Sequence, residues 1–363
     1  MIPRCPACGA PAAQSDRFCE ACGHKLWRMT VALPPSEFHP STPEATTVPV
    51  ADVSGALSVS ASADAKTVCS GCGESEFDTD GYCASCGQQP PELDRFEAGL
   101  GPIFVITDRG VAHARNEDAV AAAVVPCDAP DATATVVIAV CDGVSTSEDP
   151  QAASGAAVRA GIDACLDALA EQRSAEDSVM AGLNAAADAV IAVGSPDGRA
   201  PSCTYVSAIV QPGPDGTRIT IANVGDSRAY WLRADSGSSL RLTVDDSLAQ
   251  DMVDNGVLDP ETAMDGPHAH VLTRWLGADS EHKWSRNCLR TLATREPGVL
   301  LLCTDGLWNY LPEAAALARI ATALPVQPAG RALVEHALQA GGRDNITAAL
   351  VPVLSSEHTG DEP

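Results

Sequence analysis

The sequence predicts an α+β fold in which antiparallel sheets are covered on their outer faces by helices. Short apolar runs rich in β-branched residues, bordered by Gly, Pro or Asp, indicate strands. Longer segments carry apolar residues at helical spacing. Strands joined by turns of hairpin length and interrupted by pairs of helices favour antiparallel sheets over a doubly wound parallel sheet.

The elements follow from these two patterns. Six apolar, β-branched runs predict strands at residues 135–141, 203–210, 218–223, 228–232, 298–303 and 345–353. Four segments predict helices at residues 152–170, 179–191, 312–323 and 327–340. In the first helix one face carries Ala156, Ile162, Cys165, Leu166 and Leu169, and in the second it carries Val179, Leu183, Ala186, Val190 and Ile191.

Composition and charge exclude several classes of protein. The 363 residues are 45% hydrophobic, which is enough for a large core. The formal net charge of -25 argues against nucleic acid or an anionic membrane as partner, because both are bound by basic patches. No apolar run approaches the ~20 residues that span a bilayer, and the N-terminus has no signal-peptide core. We therefore expect a cytoplasmic protein.

Eight of the fourteen cysteines form two matching units. The cysteines are Cys5, Cys8, Cys19 and Cys22 in one unit, and Cys69, Cys72, Cys83 and Cys86 in the other. A Gly follows the second Cys of every pair and lets the backbone turn tightly around a metal. Four thiolates fill the tetrahedral shell of Zn2+, so each unit is predicted to be a structural zinc ribbon. A disulfide framework is the alternative, but it belongs in an oxidising compartment.

Composition also divides the chain. We predict a first zinc ribbon at residues 1–29, a flexible linker at 30–66, a second zinc ribbon at 67–91, a large domain at 95–354 and a disordered tail at 355–363. The linker is rich in Pro, Ser, Thr, Ala and Val, and its hydroxyl residues are either solvated spacer or phosphorylation sites.

Four acidic motifs lie beside short apolar runs in the large domain. They are Arg115-Asn116-Glu117-Asp118, Val140-Cys141-Asp142-Gly143, Thr304-Asp305-Gly306 and Arg343-Asp344-Asn345. Any one of them alone is typical of a surface turn. Carboxylates held at the ends of several strands are also how a two-metal site for hard divalent cations is built, and the four together favour that interpretation.

The large domain contains three further motifs, which are Thr107-Asp108-Arg109-Gly110, Val224-Gly225-Asp226-Ser227-Arg228 and Leu272-Thr273-Arg274-Trp275-Leu276-Gly277. Two of the acidic motifs extend to Thr304-Asp305-Gly306-Leu307-Trp308 and Gly341-Gly342-Arg343-Asp344-Asn345-Ile346-Thr347. All seven motifs follow one another in a definite order along the chain. In that order they resemble the PP2C (PPM) family of metal-dependent protein serine/threonine phosphatases in its bacterial form. The resemblance covers about residues 103–353. It implies a four-layer α-β-β-α sandwich, with metals at one end.

The resemblance also implies roles for individual residues. Asp142 would bridge two Mn2+ or Mg2+ ions, Asp305 and Asp344 would complete the shell of one ion, and Glu117 with the Gly143 carbonyl would hold the other. Asp118 would orient bound water. A water shared by two cations becomes hydroxide near neutral pH and attacks phosphorus in line with the serine or threonine leaving oxygen.

The chain departs from the family pattern at several positions. His113 stands where the family has an Arg that grips the substrate phosphate, so phosphate affinity is expected to be lower or pH dependent, with Arg109 or Arg115 as substitutes. Val144 replaces a proposed general acid, Ser202-Cys203-Thr204 lacks a Gly, and Asp245-Asp246-Ser247 replaces Asp-His-Ser. The question of whether a third metal binds stays open, and Asp197 is the candidate ligand for it. Asp226 is expected to tie a turn, whereas Asp108 fits either a turn or the surroundings of the metals.

Two alternatives to a protein phosphatase stay open. One is a zinc-ribbon scaffold that binds phosphoproteins with weak or no turnover, and the other is a hydrolase of a small phosphate ester. The resemblance suggests phosphorylated proteins as partners, together with a serine/threonine kinase that shares them. The zinc ribbons are expected to bind a partner or to regulate the catalytic domain.

Overall fold

The computed structural model describes residues 30–32, 84–85, 95–125, 134–194, 200–259, 262–263, 266, 269–280 and 284–354. The eight cysteines of the predicted zinc ribbons, residues 33–66, Asp197 and the predicted tail lie outside these ranges.

Strands and helices alternate along the chain in the way that the sequence predicts. The strands are β1 Thr30–Ala32, β2 Arg95–Leu100, β3 Ile103–Asp108, β4 Ala119–Val125, β5 Thr135–Cys141, β6 Ser202–Cys203, β7 Tyr205–Gly213, β8 Gly216–Val224, β9 Arg228–Leu232, β10 Leu240–Arg241, β11 Leu276–Gly277, β12 Leu289–Thr294, β13 Gly298–Cys303 and β14 Ile346–Val353. The helices are α1 Pro150–Ala170, α2 Ala175–Val193, α3 Leu248–Asp254, α4 Asp305–Trp308, α5 Ala314–Ala321 and α6 Val326–Gln339.

Two antiparallel six-stranded sheets form the centre of the domain. One has the strand order β1-β4-β5-β7-β8-β12, and the other has the order β10-β9-β13-β14-β3-β2. Their facing sides share a core of buried aliphatic residues such as Ile138, Val206 and Leu302. Helices α1 and α2 pack on the outer face of the first sheet, and helices α4, α5 and α6 pack on the outer face of the second. The predicted α-β-β-α layering is therefore confirmed.

All six predicted strands and all four predicted helices are present. The predicted run 203–210 is split into β6 and β7, because the N–H and hydroxyl of Thr204 between them bond to the backbone of Asp142 instead of continuing one ladder. Strand β4 does not follow from the sequence, since Ala-Val-Ala-Ala-Ala-Val-Val is mostly alanine, which has a low strand propensity. Burial of β4 between a sheet and α1 overrides that propensity.

The start of the predicted linker differs from expectation. Residues Thr30–Ala32 form a strand that pairs antiparallel with Ala122–Val124 at the edge of the first sheet. The prediction of a flexible tether came from the amino-acid composition of the whole linker. Three residues are too few to change that composition noticeably.

Candidate metal centre

The four predicted acidic motifs meet at one end of the sandwich. Glu117 and Asp118 precede β4, Asp142 follows β5, Asp305 begins α4 and Asp344 lies just before β14. Hydrogen bonds join these segments across more than two hundred residues of sequence: Glu117 N–H donates to Asn345 Oδ1, and Thr347 Oγ1 donates to Asp118 Oδ2. The structure thus brings together the segments that sequence analysis selected.

Asp118 is held by two threonine hydroxyls. Thr304 Oγ1 and Thr347 Oγ1 donate to its Oδ2 atom at 2.8 and 2.7 Å. Its other oxygen, Oδ1, is buried and has no hydrogen-bond partner among the described residues. Burial raises the pKa of Asp118 well above its ordinary value, the Thr347 and Thr304 hydroxyls lower it, and the charges of Asp344 and Asp305 raise it. Because the two hydroxyls hold Oδ2, the Oδ1 atom of Asp118 is left to accept a hydrogen bond or to bind a cation.

Glu117 has both carboxylate oxygens engaged at the edge of the site. Arg115 Nε lies 3.2 Å from Oε1, and Ser145 Oγ donates to Oε2 at 2.7 Å. The backbone of Glu117 is fixed as well, since its carbonyl accepts from Ser154 Oγ and from Gly143 N–H. This places the predicted ligand Glu117 next to the predicted ligand Gly143.

Asp142 is fixed by Thr204, the residue between β6 and β7. The Asp142 N–H donates to Thr204 Oγ1 at 3.0 Å, and the Thr204 N–H donates to the Asp142 carbonyl at 2.8 Å. Burial raises the pKa of Asp142 well above its ordinary value, and the negative charges of Asp118, Asp305 and Asp344 raise it further. Four carboxylates that destabilise one another's ionised form are the electrostatic signature of a site that binds positive charge.

Asp305 and Asp344 lie on adjacent segments, and close backbone packing sets their positions. Gly306 has no room for a side chain, because a Cβ there would collide with the Asn345 carbonyl oxygen. Asp305 Oδ1 is buried without a hydrogen-bond partner among the described residues. Burial raises the pKa of Asp344, as does the charge of Asp305, whereas the Asn345 N–H and His113 lower it.

These observations fit the metal ions that the sequence implies. Two buried carboxylate oxygens, on Asp118 and Asp305, lack a partner within the described structure, and the pKa of Asp142 is raised by its acidic neighbours. Carboxylate oxygens are the ligands that Mn2+ and Mg2+ prefer. The residues present can therefore hold divalent cations.

His113 lies beside a predicted metal ligand. Its Nε2 atom is 3.1 Å from Asp344 Oδ1, and its carbonyl accepts from Arg109 Nη1 at 2.5 Å. Of the two arginines considered as phosphate ligands, Arg109 is buried, whereas Arg115 is half exposed beside Glu117. Arg115 is therefore the better placed of the two for contact with a ligand in the cleft.

Sequence analysis did not select His270, which lies close to Asp226 and Asp305. Among the described residues, the three whose ligand atoms all lie within 4.8 Å of one another are Asp226, His270 and Asp305. His270 Nδ1 is 3.2 Å from Asp305 Oδ2, and this pairing raises the pKa of His270. The available signal was the position of His270, two residues before the motif that begins at Leu272.

The remaining conspicuous acids have structural partners. Asp108 accepts from Arg95 Nη1 and from Gly110 N–H, which fixes the turn after β3. Asp245 forms a buried ion pair with Arg228 at 2.6 Å, and Asp246 accepts from Gly225 N–H. The Asp-Asp pair that replaces Asp-His thus anchors the β8–β9 turn.

The buried cysteines near the site are not suited to nucleophilic chemistry. Cys141 and Cys203 are free and fully buried. Burial raises the pKa of Cys141 well above its ordinary value, which favours the neutral thiol.

Within the described part of the chain, no helix has the length and apolar character needed to cross a membrane.

Comparison with known protein families identifies the fold. A family model described as protein phosphatase 2C matches residues 109–349, and one described as double zinc ribbon matches residues 5–87. The chain belongs to the protein phosphatase 2C family, with a double zinc ribbon region before the phosphatase domain. The predicted family and the predicted zinc-ribbon region are both confirmed.

Individual relatives agree with this assignment. The chain is 33% identical over 148 residues to the serine/threonine phosphatase stp of Listeria innocua, a match that covers 41% of this chain and 55% of the relative. It is 27% identical over 274 residues to the serine/threonine protein phosphatase PstP of Mycobacterium tuberculosis, covering 71% and 46%. The chain spans about half the length of these curated relatives.

A solved structure gives the same fold. The crystal structure of the catalytic domain of the serine threonine protein phosphatase PstP in complex with two manganese ions matches with a TM-score of 0.53 and 26% identity. The match covers 70% of this chain and 98% of that chain.

Proposed function

We propose that this protein is a metal-dependent protein serine/threonine phosphatase. The observation that carries the proposal is the convergence of Glu117, Asp118, Asp142, Asp305 and Asp344 at one end of a protein phosphatase 2C fold. The PstP catalytic domain, which has this fold, is described as holding two manganese ions, and that supports Mn2+ as the cofactor here.

The proposed ligand set follows the predicted roles. Asp142, Asp305 and Asp344 would hold one divalent cation, and Glu117, Asp142 and the Gly143 carbonyl would hold the other. When bound, two cations neutralise charge on the phosphate and lower the pKa of an attacking water. Mn2+ and Mg2+ both suit these oxygen ligands.

The chain's own residues orient the reactants. Asp118 is fixed by Thr304 and Thr347 through one oxygen, which leaves its other oxygen to accept a hydrogen bond from water. Arg115 and His113, on the loop before β4, flank the acidic cluster. Arg115 contributes positive charge toward a phosphate. Arg115 contacts the proposed ligand Glu117, so it is placed to take over the role of the family's Arg.

A substrate comparison tests this function. The full chain with Mn2+ should hydrolyse a phosphothreonine peptide with a higher kcat/KM than a small aryl phosphate, because a peptide adds contacts beside the phosphate. An Arg115→Gln variant should raise KM for the peptide, with the exposed Arg290→Gln variant as its matched control. Equal or better turnover of the small ester would instead favour a small-molecule hydrolase, and phosphopeptide binding without turnover would favour a scaffold.

The zinc-ribbon region is proposed to hold two structural Zn2+ ions and to bind a protein partner. The spacing of four cysteines in each unit supports the metal, and the double zinc ribbon match supports the module. Cys69→Ser with Cys72→Ser should release one zinc ion per chain and weaken capture of a phosphorylated protein substrate. Unchanged capture and unchanged turnover of that protein would contradict a partner-binding role.

A further inference from the structure

The turn between β5 and α1 carries a serine hydroxyl that contacts a proposed metal ligand. Ser145 Oγ donates to Glu117 Oε2 at 2.7 Å. The other carboxylate oxygen, Oε1, lies 3.2 Å from Arg115 Nε. We propose that Ser145 is a positioning residue, which orients the Glu117 carboxylate and so sets the affinity for the divalent cation that Glu117 would hold. This rests on the proposed function in taking Glu117 as a metal ligand.

Backbone contacts place Ser145 in a fixed turn. Ser147 N–H donates to the Val144 carbonyl at 2.8 Å, which closes a four-residue turn with Ser145 and Thr146 at its centre. The turn is joined to β6 at both ends, since Val144 N–H donates to the Ser202 carbonyl at 2.9 Å and Ser202 N–H donates to Ser147 Oγ at 3.2 Å. The position of Ser145 is therefore set by the hydrogen bonds of its own turn.

The same segment holds the backbone of Glu117. Gly143 N–H and Ser154 Oγ donate to the Glu117 carbonyl at 3.2 and 2.6 Å. Gly143 has no room for a side chain, because a Cβ there would lie 2.7 Å from that carbonyl oxygen. Residues 143–154 thus fix the main chain of Glu117, and Ser145 of this segment contacts its carboxylate.

The hydrogen bond from Ser145 is compatible with metal binding. A carboxylate oxygen has two acceptor positions, so Glu117 Oε2 can accept from Ser145 and still bind a cation. Glu117 is only 7% exposed, so little water competes for this hydrogen bond. A donor that holds a ligating carboxylate in one orientation spares the ion the cost of ordering it, and loss of such a donor typically lowers metal affinity about 10–100-fold.

Arg115 holds this carboxylate less firmly than Ser145 does. The Arg115 side chain is 48% exposed, and its 3.2 Å contact is longer than the 2.7 Å hydrogen bond from Ser145. A long, exposed side chain gives up much rotamer freedom when it is held in one geometry. A serine hydroxyl is separated from the backbone by one side-chain torsion only. Removal of the Ser145 hydroxyl should therefore affect Glu117 even though Arg115 stays in place.

Mn2+ titration of the full chain, followed by the electron paramagnetic resonance signal of free Mn2+, tests this role. Ser145→Ala should weaken the binding of one Mn2+ ion by about 10–100-fold. Ser145→Thr, which keeps a hydroxyl, should bind Mn2+ nearly as the wild type does. Thr146→Ala removes the neighbouring exposed hydroxyl and should leave Mn2+ binding unchanged. Unchanged binding in Ser145→Ala would overturn the proposal, and so would an equal loss in Ser145→Thr.

A double-mutant cycle shows whether Ser145 acts through Glu117. Glu117→Ala should weaken Mn2+ binding by itself, and the addition of Ser145→Ala should cause no further loss. A further loss as large as that in the wild-type background would overturn the proposal, because Ser145 would then act independently of Glu117.

Phosphopeptide turnover gives a second readout. Ser145→Ala should need more Mn2+ for half-maximal turnover but should reach the wild-type kcat and KM when Mn2+ is saturating. A kcat that stays low at saturating Mn2+ would overturn a role confined to metal affinity. The Mn2+ titrations do not depend on turnover. A wild type that binds Mn2+ without hydrolysing the peptide would therefore contradict the proposed function and leave the role of Ser145 to be decided by binding.

Discussion

The Asn345 side chain accepts a hydrogen bond from the backbone N–H of Glu117 at 2.7 Å, although the two residues are 228 positions apart. The Asn345 Nδ2 atom donates to the carbonyls of Arg109 and Arg115 at 2.7 and 3.1 Å. One buried amide therefore fixes the loop before β4 against the loop before β14, and both loops carry predicted metal ligands.

Asn345→Ala should weaken both the fold and the metal site. Because it removes the hydrogen bonds of this amide to the buried Glu117 N–H and to the carbonyls of Arg109 and Arg115, we expect a loss of about 2–4 kcal/mol in the free energy of unfolding. Mn2+ affinity should fall as Glu117 loses its fixed position. Chemical denaturation and Mn2+ titration measure the two effects. The exposed Gln339→Ala, at the end of α6, is the control, and equal effects of the two changes would contradict the role of Asn345.

Thr347→Val tests the hydroxyls that hold Asp118. The substitution keeps the side-chain shape and removes the 2.7 Å hydrogen bond to Asp118 Oδ2, so stability should fall by about 1–3 kcal/mol. The pKa of Asp118 should rise further, since the Thr347 hydroxyl lowers it. Thr220→Val is the matched control, because the Thr220 hydroxyl is fully buried without a hydrogen-bond partner in the described structure.

For Thr220→Val we expect unchanged or higher stability, since a buried unpaired hydroxyl is replaced by a methyl group. If Thr347→Val and Thr220→Val behaved alike in denaturation and in turnover, the threonine pair would have no part in positioning Asp118.

Gly306→Ala tests how closely α4 packs on the loop before β14. A Cβ at Gly306 would collide with the Asn345 carbonyl, so the backbone must shift, and we expect a loss of at least about 2 kcal/mol. Gly155, within α1, has open space around the same position. Gly155→Ala should stabilise the protein by about 0.5–1 kcal/mol because alanine favours helix. Thermal unfolding of the two variants should therefore move in opposite directions.

The acidic cluster predicts how stability depends on pH without added Mn2+. The folded-state pKa values of Asp118, Asp142, Asp226 and Asp344 are raised, chiefly by burial. The folded state therefore binds more protons than the unfolded state above the ordinary aspartate pKa of about 4, and stability falls as pH rises. Thermal unfolding should therefore give a higher Tm at about pH 5, just above the ordinary aspartate pKa, than at about pH 8.

Mn2+ should reverse this trend. Cations stabilise the ionised carboxylates and bind the folded state, so saturating Mn2+ should raise Tm most at the higher pH. A Tm that rises with pH in the absence of Mn2+ would contradict the electrostatic account of the site.

Much of the fold was accessible from the sequence because its signals are local. Strand β13 is a continuous apolar run of the kind found in buried strands, and helix α2 carries apolar residues at helical spacing. Strand β4 was not predicted because alanine has a low strand propensity. Its packing in the core makes it a strand. The acidic motifs were identified by their order along the chain, whereas their hydrogen bonds through Asn345 and Thr204 depend on tertiary contacts.

His270 shows why the site was only partly predictable. No spacing in the sequence connects it to Asp226 or Asp305, and their approach depends on Trp308, which stacks on one and bonds the backbone of another. The position of His270 two residues before the motif at Leu272 does not indicate which residues it meets after folding. Its proximity to Asp226 and Asp305 therefore emerges from the structure alone.

The most direct test of the central claim is hydrolysis of a phosphothreonine peptide by the full chain with and without Mn2+, compared with Asp142→Asn. Loss of an outer-layer partner of a metal costs about 10–100-fold, so loss of the proposed bridging ligand should reduce turnover by more than about 100-fold. Asp215→Asn, at an exposed turn, should match the wild type. Turnover that requires Mn2+ and disappears in Asp142→Asn is the expected result. Turnover that is independent of Mn2+, or that survives in Asp142→Asn, would contradict the account.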